Sequence, residues 1–139
     1  MRNIASLLAW HYIGLPYKWG GNDAMSGFDC SGLIVEILKS VGLLPRQFDT
    51  TAKGLMIMFR DKKVDSPYEG CLVFYGKIHA THIEYCINSK LTVGASGGGS
   101  DTVDLKTAIR RNAFIKIRPI KSRKDILGYV DPFMEKRDE

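Results

Sequence analysis

An apolar helical face runs through residues 30–41. Apolar side chains recur there with the period of an α-helix, and Gly42 follows as a stop signal. A helix that is apolar over so wide a face must be covered by other elements, so we predict that it lies at the centre of the fold. The residues that form this face are Leu33, Ile34, Ile37, Leu38 and Val41.

A shorter helix is predicted before the central one, over about residues 3–12. Asn3 can cap its N-terminus. We expect Ile4, Leu7 and Leu8 to form its buried face, because they share one side of a helix. The segment that follows is rich in Gly, Pro and Asn and therefore predicts a loop that leads into the central helix.

Beyond residue 67 the pattern becomes that of β-strands, with runs rich in Val, Ile, Phe and Tyr. Helices followed by a series of antiparallel strands are typical of the α+β class. The length of 139 residues suits one domain and leaves no room for a second, so we predict a single domain over residues 1–139. Strands are predicted at 71–75, 81–87, 91–95 and 113–120, with shorter helices at 51–59 and 102–111.

The composition is that of an ordinary globular protein. Hydrophobic residues make up 45% of the chain and charged residues 25%, and no apolar stretch approaches the roughly 18 residues that a membrane span needs. The N-terminal residues also lack the apolar core and cleavage site of a secretory signal. We therefore expect synthesis in the cytoplasm and no membrane partner.

The chain has three cysteines, and one of them is placed for chemistry. An odd number without close CxxC spacing argues against a disulfide framework and against a zinc site. Cys71 and Cys86 lie in apolar strand-like runs, where a cysteine is usually a small buried hydrophobe. Cys30 lies in FDCSG, where the loop becomes the central helix. The positive end of the helix dipole favours a thiolate there, and the free N–H groups of the first turn can hold an oxyanion.

A nucleophilic cysteine needs a base, and His82 is the best candidate among the three histidines. His11 is better interpreted as an ordinary surface or core residue, and His79 precedes the strand that contains His82. Strand alternation places His82, Glu84 and Cys86 on one face of the second predicted strand. A histidine and a glutamate that project together from one sheet face are an unusual way to fill a core.

Four blocks of the sequence resemble, in order and spacing, those of the NlpC family of papain-like cysteine peptidases: GLPYKWGG, FDCSGLIVEILKSVGLLP, EGCLVFYG and THIEYCI. The resemblance implies a papain-like fold in which the catalytic cysteine begins a helix packed on an antiparallel sheet. It also implies a cysteine endopeptidase that cuts peptidoglycan stem peptides after a D-glutamyl residue, through a Cys–His thiolate mechanism. The peptidoglycan stem is then the expected partner, with no cofactor and no metal.

The resemblance assigns roles to five residues. Cys30 matches the family nucleophile and His82 the base, while Tyr17 matches the tyrosine that lies beside the nucleophile. Asp29 and Ser31 match residues that line the substrate cleft, where the aspartate can hold a free amino group of the stem peptide. Thiolate attack on the amide carbon and protonation of the leaving amine by the imidazolium require these residue types.

The sequence departs from the family pattern at two positions on neighbouring strands. The family places a polar residue, usually histidine, on the next strand to orient the base, whereas this chain has Gly94 there. Two residues after His82, where the family has a small side chain, this chain has Glu84. We hypothesise that the orienting group has moved to Glu84, in the space that Gly94 leaves. The alternatives are a Glu84 that faces solvent, or Ser96 as the orienting group.

Other functions on the same fold stay open. An amidase or an acyltransferase would use the same Cys–His pair, and the missing polar residue at position 94 allows a non-catalytic wall-binding module. The absence of a signal segment suits a phage-encoded protein, either an endolysin of a lysis cassette or part of a phage tail that acts on the cell wall. A cytosolic enzyme that recycles wall peptides fits as well.

The net charge of +5 favours anionic partners but identifies none. Most clusters of basic residues are solvated faces, and attraction to an anionic cell-wall polymer is the second interpretation. Nucleic acid is not expected, because no recognition motif accompanies the charge. The basic cluster comprises Lys106, Arg110, Arg111, Lys116, Arg118, Lys121, Arg123 and Lys124.

Overall fold

The computed structural model describes residues 1–23 and 27–135, which form four helices and eight strands. The helices are α1 (Arg2–His11), α2 (Cys30–Ser40), α3 (Ala52–Met58) and α4 (Leu105–Arg111), with 3₁₀ turns at Arg60–Lys62 and Ile120–Ser122. The strands are β1 (Asn22–Asp23), β2 (Gly27–Phe28), β3 (Lys63–Val64), β4 (Leu72–Tyr75), β5 (His82–Cys86), β6 (Leu91–Ser96), β7 (Phe114–Pro119) and β8 (Ile126–Val130).

Six of these strands form one antiparallel sheet in the order β3-β8-β4-β5-β6-β7. The α+β class predicted from the sequence is confirmed. The four predicted strands correspond to β4, β5, β6 and β7, and the two shorter helices are present as well. The sequence did not predict β3, or β8, which inserts between β3 and β4, or the short pair β1 and β2.

Helix α2 lies at the centre of the core, as its apolar face predicts. It packs against β5, β6 and α1, and its apolar side chains from Leu33 to Leu38 are fully buried. The same core takes in the inward faces of the sheet strands, including Ile83 and Tyr85 of β5. Because α2 is fixed on the sheet along its length, the position of its first residue is fixed relative to the sheet.

The prediction for α1 was wrong in its buried face and its cap. Ile4 and Leu7 are 53% and 64% exposed, and the helix begins at Arg2 without a side-chain cap from Asn3. Small side chains form the buried face instead, and the Ser6 hydroxyl is satisfied by the Tyr85 hydroxyl at 2.9 Å. The buried residues of α1 are Ala5, Ser6 and Ala9.

The second face of the sheet carries a smaller apolar cluster that contains Cys71 and Cys86. Both are free thiols and fully buried, which agrees with their interpretation as small hydrophobes. The alternation predicted for β5 is present, because Cys86 packs in this second cluster whereas Ile83 and Tyr85 pack in the main core. In the part of the chain that the structure describes, no helix is long and apolar enough to span a membrane.

Candidate active site

Cys30 is the first residue of α2, and Asp29 fixes that position. Asp29 is the N-cap, and its Oδ1 accepts a hydrogen bond from the backbone N–H of Gly32 at 2.7 Å. Its other oxygen accepts the backbone N–H of Gly20 at 3.0 Å, in the preceding loop. One carboxylate therefore joins the loop to the helix start and sets the direction in which Cys30 projects.

Glycines bring the loop against the helix start. The backbone N–H of Asp29 donates to the carbonyl of Gly21 at 3.0 Å, and a Cβ on Gly32 would lie only 2.0 Å from that same carbonyl oxygen. A side chain at position 32 would push the loop away. The DCSG motif therefore needs its glycine for the close approach that seats the cysteine.

His82 begins β5 and contacts Cys30. The imidazole is buried and hydrogen-bonds to the Cys30 thiol and to the Glu84 carboxylate. Burial by itself would lower the pKa of His82, but these two hydrogen bonds and the nearby negative charges outweigh it and raise the pKa to about 9. An imidazolium is therefore the favoured state at neutral pH.

Glu84 lies behind the imidazole and is almost fully buried. Its Oε2 is 2.6 Å from Nε2 of His82, and its Oε1 accepts a hydrogen bond from the Thr92 hydroxyl. Burial would raise the pKa of Glu84, but the hydrogen bond and charge of His82 lower it below its usual value. Because Glu84 occupies Nε2, the ring atom left for the Cys30 thiol is Nδ1.

Gly94 provides the space that Glu84 fills. A Cβ built at position 94 would lie 2.5 Å from Cγ, 2.8 Å from Cδ and 3.0 Å from Oε2 of Glu84. No side chain can stand at position 94 while Glu84 keeps its position. The structure thus has the geometry that the relocation hypothesis requires, and the alternative in which Glu84 faces solvent is wrong.

Five of the six predicted site residues line one cleft with a volume of about 710 Å³, and the sixth, Glu84, is not part of its lining. Cys30, His82, Tyr17, Asp29 and Ser31 all line it. Further lining residues come from the segment before α3 (Asp49, Thr50, Thr51), from the end of β6 and the glycines after it (Ser96 to Gly99), and from Arg118 and Arg123.

Tyr17 lies beside the nucleophile, as the resemblance implied. Its side chain is buried, and its pKa is raised chiefly by burial and then by the neighbouring Cys30. The ring packs directly on the glycine loop, because a Cβ on Gly98 would lie 2.2 Å from a ring carbon of Tyr17. The loop after β6 therefore forms one edge of the cleft, with Tyr17 as its support.

Asp29 lies in the cleft wall but already has several partners. Besides the two backbone donors, Oδ1 lies 3.4 Å from the Ser31 hydroxyl, and burial is the main reason that its pKa is raised. The carboxylate is thus first a structural cap. Its binding of a substrate amino group stays a prediction, as does the placing of Ser31 against the substrate.

Sequence reasoning missed Thr92, Arg118 and Arg123. The sequence pattern could have identified Thr92, because it lies on the same strand face as Gly94 and therefore faces the site. Arg118 and Arg123 appeared only as members of a basic cluster, and no local pattern separates them from it. Ser96, the weaker candidate for orienting the base, is buried, and its hydroxyl has no hydrogen-bond partner among the described residues.

The thiol, the imidazole and the carboxylate form a series that suits nucleophilic catalysis. Cys30 contacts His82, and Glu84 holds the far side of the ring, which is the order nucleophile, acid–base and orienting group. Within residues 1–23 and 27–135, no group of three or more His, Cys, Asp or Glu side chains is arranged to hold a metal ion.

Two known proteins with similar sequences carry the names of endopeptidases. The chain is 27% identical over 117 residues to the bifunctional muramidase/DL-endopeptidase CwlT of Bacillus subtilis, covering 81% of this chain and 35% of CwlT. It is 32% identical over 126 residues to the probable peptidoglycan endopeptidase LytE of the same organism, covering 88% of this chain and 34% of LytE. The chain therefore spans about a third of the length of these relatives.

Solved structures share the fold. The NlpC/P60 domain of the peptidoglycan hydrolase SagA superposes with a TM-score of 0.63 at 20% identity, over 94% of this chain and 97% of that domain. The model of the NlpC/P60 family matches residues 14–118, a range that includes Tyr17, Cys30, His82 and Glu84. On this match and on the shared fold, the chain belongs to the NlpC/P60 family.

Proposed function

We propose that this protein is a cysteine endopeptidase that hydrolyses the amide bond between D-glutamate and the following diamino acid in peptidoglycan stem peptides. The observation that supports it best is the series Cys30–His82–Glu84, whose first two members line one cleft. The names of CwlT, a DL-endopeptidase, and of LytE, a probable peptidoglycan endopeptidase, support the substrate class.

In the first half of the reaction the Cys30 thiolate attacks the carbonyl carbon of the amide. Backbone N–H groups in the first turn of α2 are the donors that we assign to the oxyanion. The His82 imidazolium then gives its proton to the leaving nitrogen, and the amine departs while the acyl group stays on Cys30 as a thioester. In the second half neutral His82 takes a proton from water, which attacks the thioester and releases the acid.

Glu84 acts through His82 and is therefore a positioning residue. Its carboxylate holds Nε2 at 2.6 Å, fixes the ring with Nδ1 towards the thiol, and stabilises the imidazolium. The interpretation as a non-catalytic wall-binding module depended on the missing polar group at position 94. Glu84 supplies a carboxylate in that place, so the geometry favours an enzyme.

The test is to incubate the purified protein with defined muropeptides and to weigh the products by mass spectrometry. Cleavage between D-glutamate and the diamino acid, abolished in Cys30→Ala, is the expected result. A free amine elsewhere in the substrate would indicate an amidase, and a product that gains an amine acceptor would indicate an acyltransferase. Binding to sacculi without turnover, unchanged by alkylation of Cys30, would indicate a binding module and contradict the proposal.

Where the protein is made and where it acts is a second proposal. We propose that the protein is made in the cytoplasm and acts on the cell wall as a phage-encoded lysis or tail enzyme. Comparing intact sacculi with free stem peptides as substrates tests this, because a wall hydrolase solubilises sacculi whereas an enzyme that recycles wall peptides acts on the free peptides alone. Activity on free peptides only would contradict the proposed setting and leave the chemistry unchanged.

A further inference from the structure

Two arginines line the cleft on the side of the imidazole. Arg118 is in β7 and Arg123 follows the 3₁₀ turn after it, and both are half-buried. Long cationic side chains usually extend into solvent, so two guanidinium groups held in the wall of a cleft are unusual. The other basic residues of the C-terminal cluster do not line this cleft.

Both guanidinium groups are held in place. Arg123 donates two hydrogen bonds to Asp125, at 3.0 and 2.6 Å, and lies over the ring of Tyr75, 5.1 Å from its centre. The Tyr75 ring in turn lies 5.7 Å from the His82 ring, so Arg123 is one aromatic ring away from the imidazole. Arg118 donates to the Ser122 hydroxyl at 3.0 Å.

The charges at this end of the cleft do not balance. The cations are His82, Arg118 and Arg123, whereas the carboxylates among them are Glu84 and Asp125, each already in an ion pair. The cleft wall also carries two carboxylates that lie near each other, Asp29 and Asp49, and Asp29 is hydrogen-bonded to backbone N–H groups at the start of α2 and in the preceding loop. The part of the cleft around the imidazole is therefore positive, and a ligand group with a negative charge fits it best.

The direction of the reaction determines which part of the substrate meets the arginines. The imidazolium gives its proton to the leaving amine, so the residue that carries this amine must lie on the side of His82. In the proposed reaction that residue is the diamino acid. The diamino acids of stem peptides include diaminopimelate, which has a carboxylate at the end of its side chain, and lysine, which does not.

We propose that Arg118 and Arg123 form a subsite for a carboxylate on the diamino acid that leaves, and that this subsite selects stems with a side-chain carboxylate. The inference rests on the proposed function and names the feature of the substrate that the same cleft recognises. Arginine suits this task because its planar guanidinium pairs with a carboxylate through two parallel hydrogen bonds. Arg123 uses two donors on Asp125 and retains others for a ligand.

The experiment compares tetrapeptide stems in which only the side-chain end of the diamino acid differs: free diaminopimelate, amidated diaminopimelate and lysine. For the native enzyme, kcat/KM should be about tenfold higher on the free carboxylate, as expected for a half-exposed charge-assisted hydrogen bond. Arg123→Gln should remove this preference by lowering kcat/KM on the free carboxylate more than on the other two stems. The matched control is Lys124→Gln, which loses one exposed charge next to the site and should keep the preference.

Arg118→Gln is the second variant, and it should reduce the same preference. Because both arginines lie near Glu84, part of the effect of each variant should appear equally on all three stems. The ratio of kcat/KM on the free stem to kcat/KM on the amidated stem measures the effect of the subsite alone. Equal kcat/KM of the native enzyme on free and amidated stems would overturn the proposal. An equal loss on both stems in Arg123→Gln would overturn it too, since it would show that Arg123 only supports the catalytic groups.

A binding measurement separates this inference from the proposed function. If none of the stems is cut between D-glutamate and the diamino acid, the proposed function is wrong. Calorimetric binding of the same three stems to Cys30→Ala then tests the subsite alone. Binding that is about tenfold tighter for the free carboxylate, and loses this advantage when Arg123→Gln is added, supports the subsite. Equal binding of the free and amidated stems contradicts it.

Discussion

At the scale of single residues, Glu84 and Gly94 depend on each other, because the side chain of Glu84 fills the space that Gly94 leaves. A carboxylate on β5 reaches the far nitrogen of the imidazole only because β6 has no side chain at position 94. Either residue alone would be unfavourable, since a Cβ at 94 would overlap Glu84 and a lone Gly94 would leave the base unsupported. Thr92 completes the arrangement, because its hydroxyl holds the second carboxylate oxygen.

Glu84→Gln keeps the shape of the side chain and removes its charge. We expect kcat/KM to fall by about a hundredfold or more, because the ring loses the partner that orients it. The pKa of His82 should also fall, since the carboxylate is one of the groups that raise it to about 9. The imidazolium is needed to protonate the leaving amine, so the alkaline limb of the profile of kcat/KM against pH should move to lower pH. Stopped assays from pH 5 to 10 would measure both effects.

The matched control for this variant is Glu69→Gln, which makes the same change on an exposed side chain. Its rate and pH profile should equal those of the native protein. A loss of activity in Glu84→Gln with the alkaline limb unmoved would show that Glu84 only supports the fold around His82.

The exchange of the two positions gives a second prediction at this scale. Gly94→His and Glu84→Ala should each be nearly inactive, the first because the new side chain overlaps Glu84 and the second because His82 loses its partner. In the double variant the overlap is gone and a polar ring stands on β6, as in the family pattern. We expect its kcat/KM to exceed that of either single variant by about tenfold. A double variant no better than the worse single one would contradict the relocation.

At the scale of elements, the start of α2 depends on one side chain. Asp29 caps the helix and also holds the loop through Gly20, so its loss should affect both stability and the cysteine. Asp29→Ala should lower the free energy of unfolding by about 1–2 kcal/mol. It should also change the rate at which iodoacetamide alkylates Cys30, because the first turn of α2 sets the position and surroundings of the thiol. Urea denaturation and mass spectrometry of the alkylated protein would measure these two effects.

Asp104 offers a control of the same kind. It caps α4 by accepting the backbone N–H of Thr107, and it does not line the cleft. Asp104→Ala should lower stability without changing the alkylation rate of Cys30. If both caps changed that rate alike, the effect of Asp29→Ala would come from general loosening of the fold and not from the position of the thiol.

The elements that were predicted correctly have strong local patterns. Helix α2 has a wide apolar face, and strands β4 to β7 are rich in residues that favour strands, so their type follows from the sequence alone. Strand β8 was missed because its residues, Ile126–Val130, are few, include a glycine, and pair with β3 and β4, which lie far away in the chain. The buried face of α1 was predicted wrongly because it consists of small residues, which a search for large apolar side chains at helical spacing does not find.

The residues of the site can likewise be divided into those that local sequence patterns predict and those that they do not. Cys30 and His82 belong to motifs, and the contact of Glu84 with His82 follows from the period of a strand. The places of Arg118 and Arg123 depend on how β7 and the turn after it pass over the cleft. Such long-range placement has no counterpart in local sequence patterns, so only the folded chain shows it.

At the scale of the whole molecule, an ion pair connects the two ends of the described chain. Arg2 of α1 makes two hydrogen bonds to Asp131, just after β8, at 3.2 and 2.9 Å. The guanidinium also lies between the rings of Tyr68 and Phe133, and the Tyr68 hydroxyl donates to Asp131 at 2.6 Å. This group fastens α1 to the end of β8, and with it the face of α2 against which α1 packs.

Asp131→Asn tests whether this group stabilises the fold. Burial would raise the pKa of Asp131, but Arg2 and Tyr68 outweigh it and lower the pKa. The carboxylate therefore stabilises the fold above the pKa of about 4 that an aspartate has in the unfolded chain. This stabilisation is lost as the pH falls through the lowered pKa of the folded protein. We expect the variant to be about 2 kcal/mol less stable than the native protein at pH 7 in urea, with a smaller difference at pH 3. Asp101→Asn, which breaks an exposed pair with Arg111, should change stability by less than about 0.5 kcal/mol. A loss that is the same at both pH values would mean that the shape of Asp131, and not its charge, holds the two ends together.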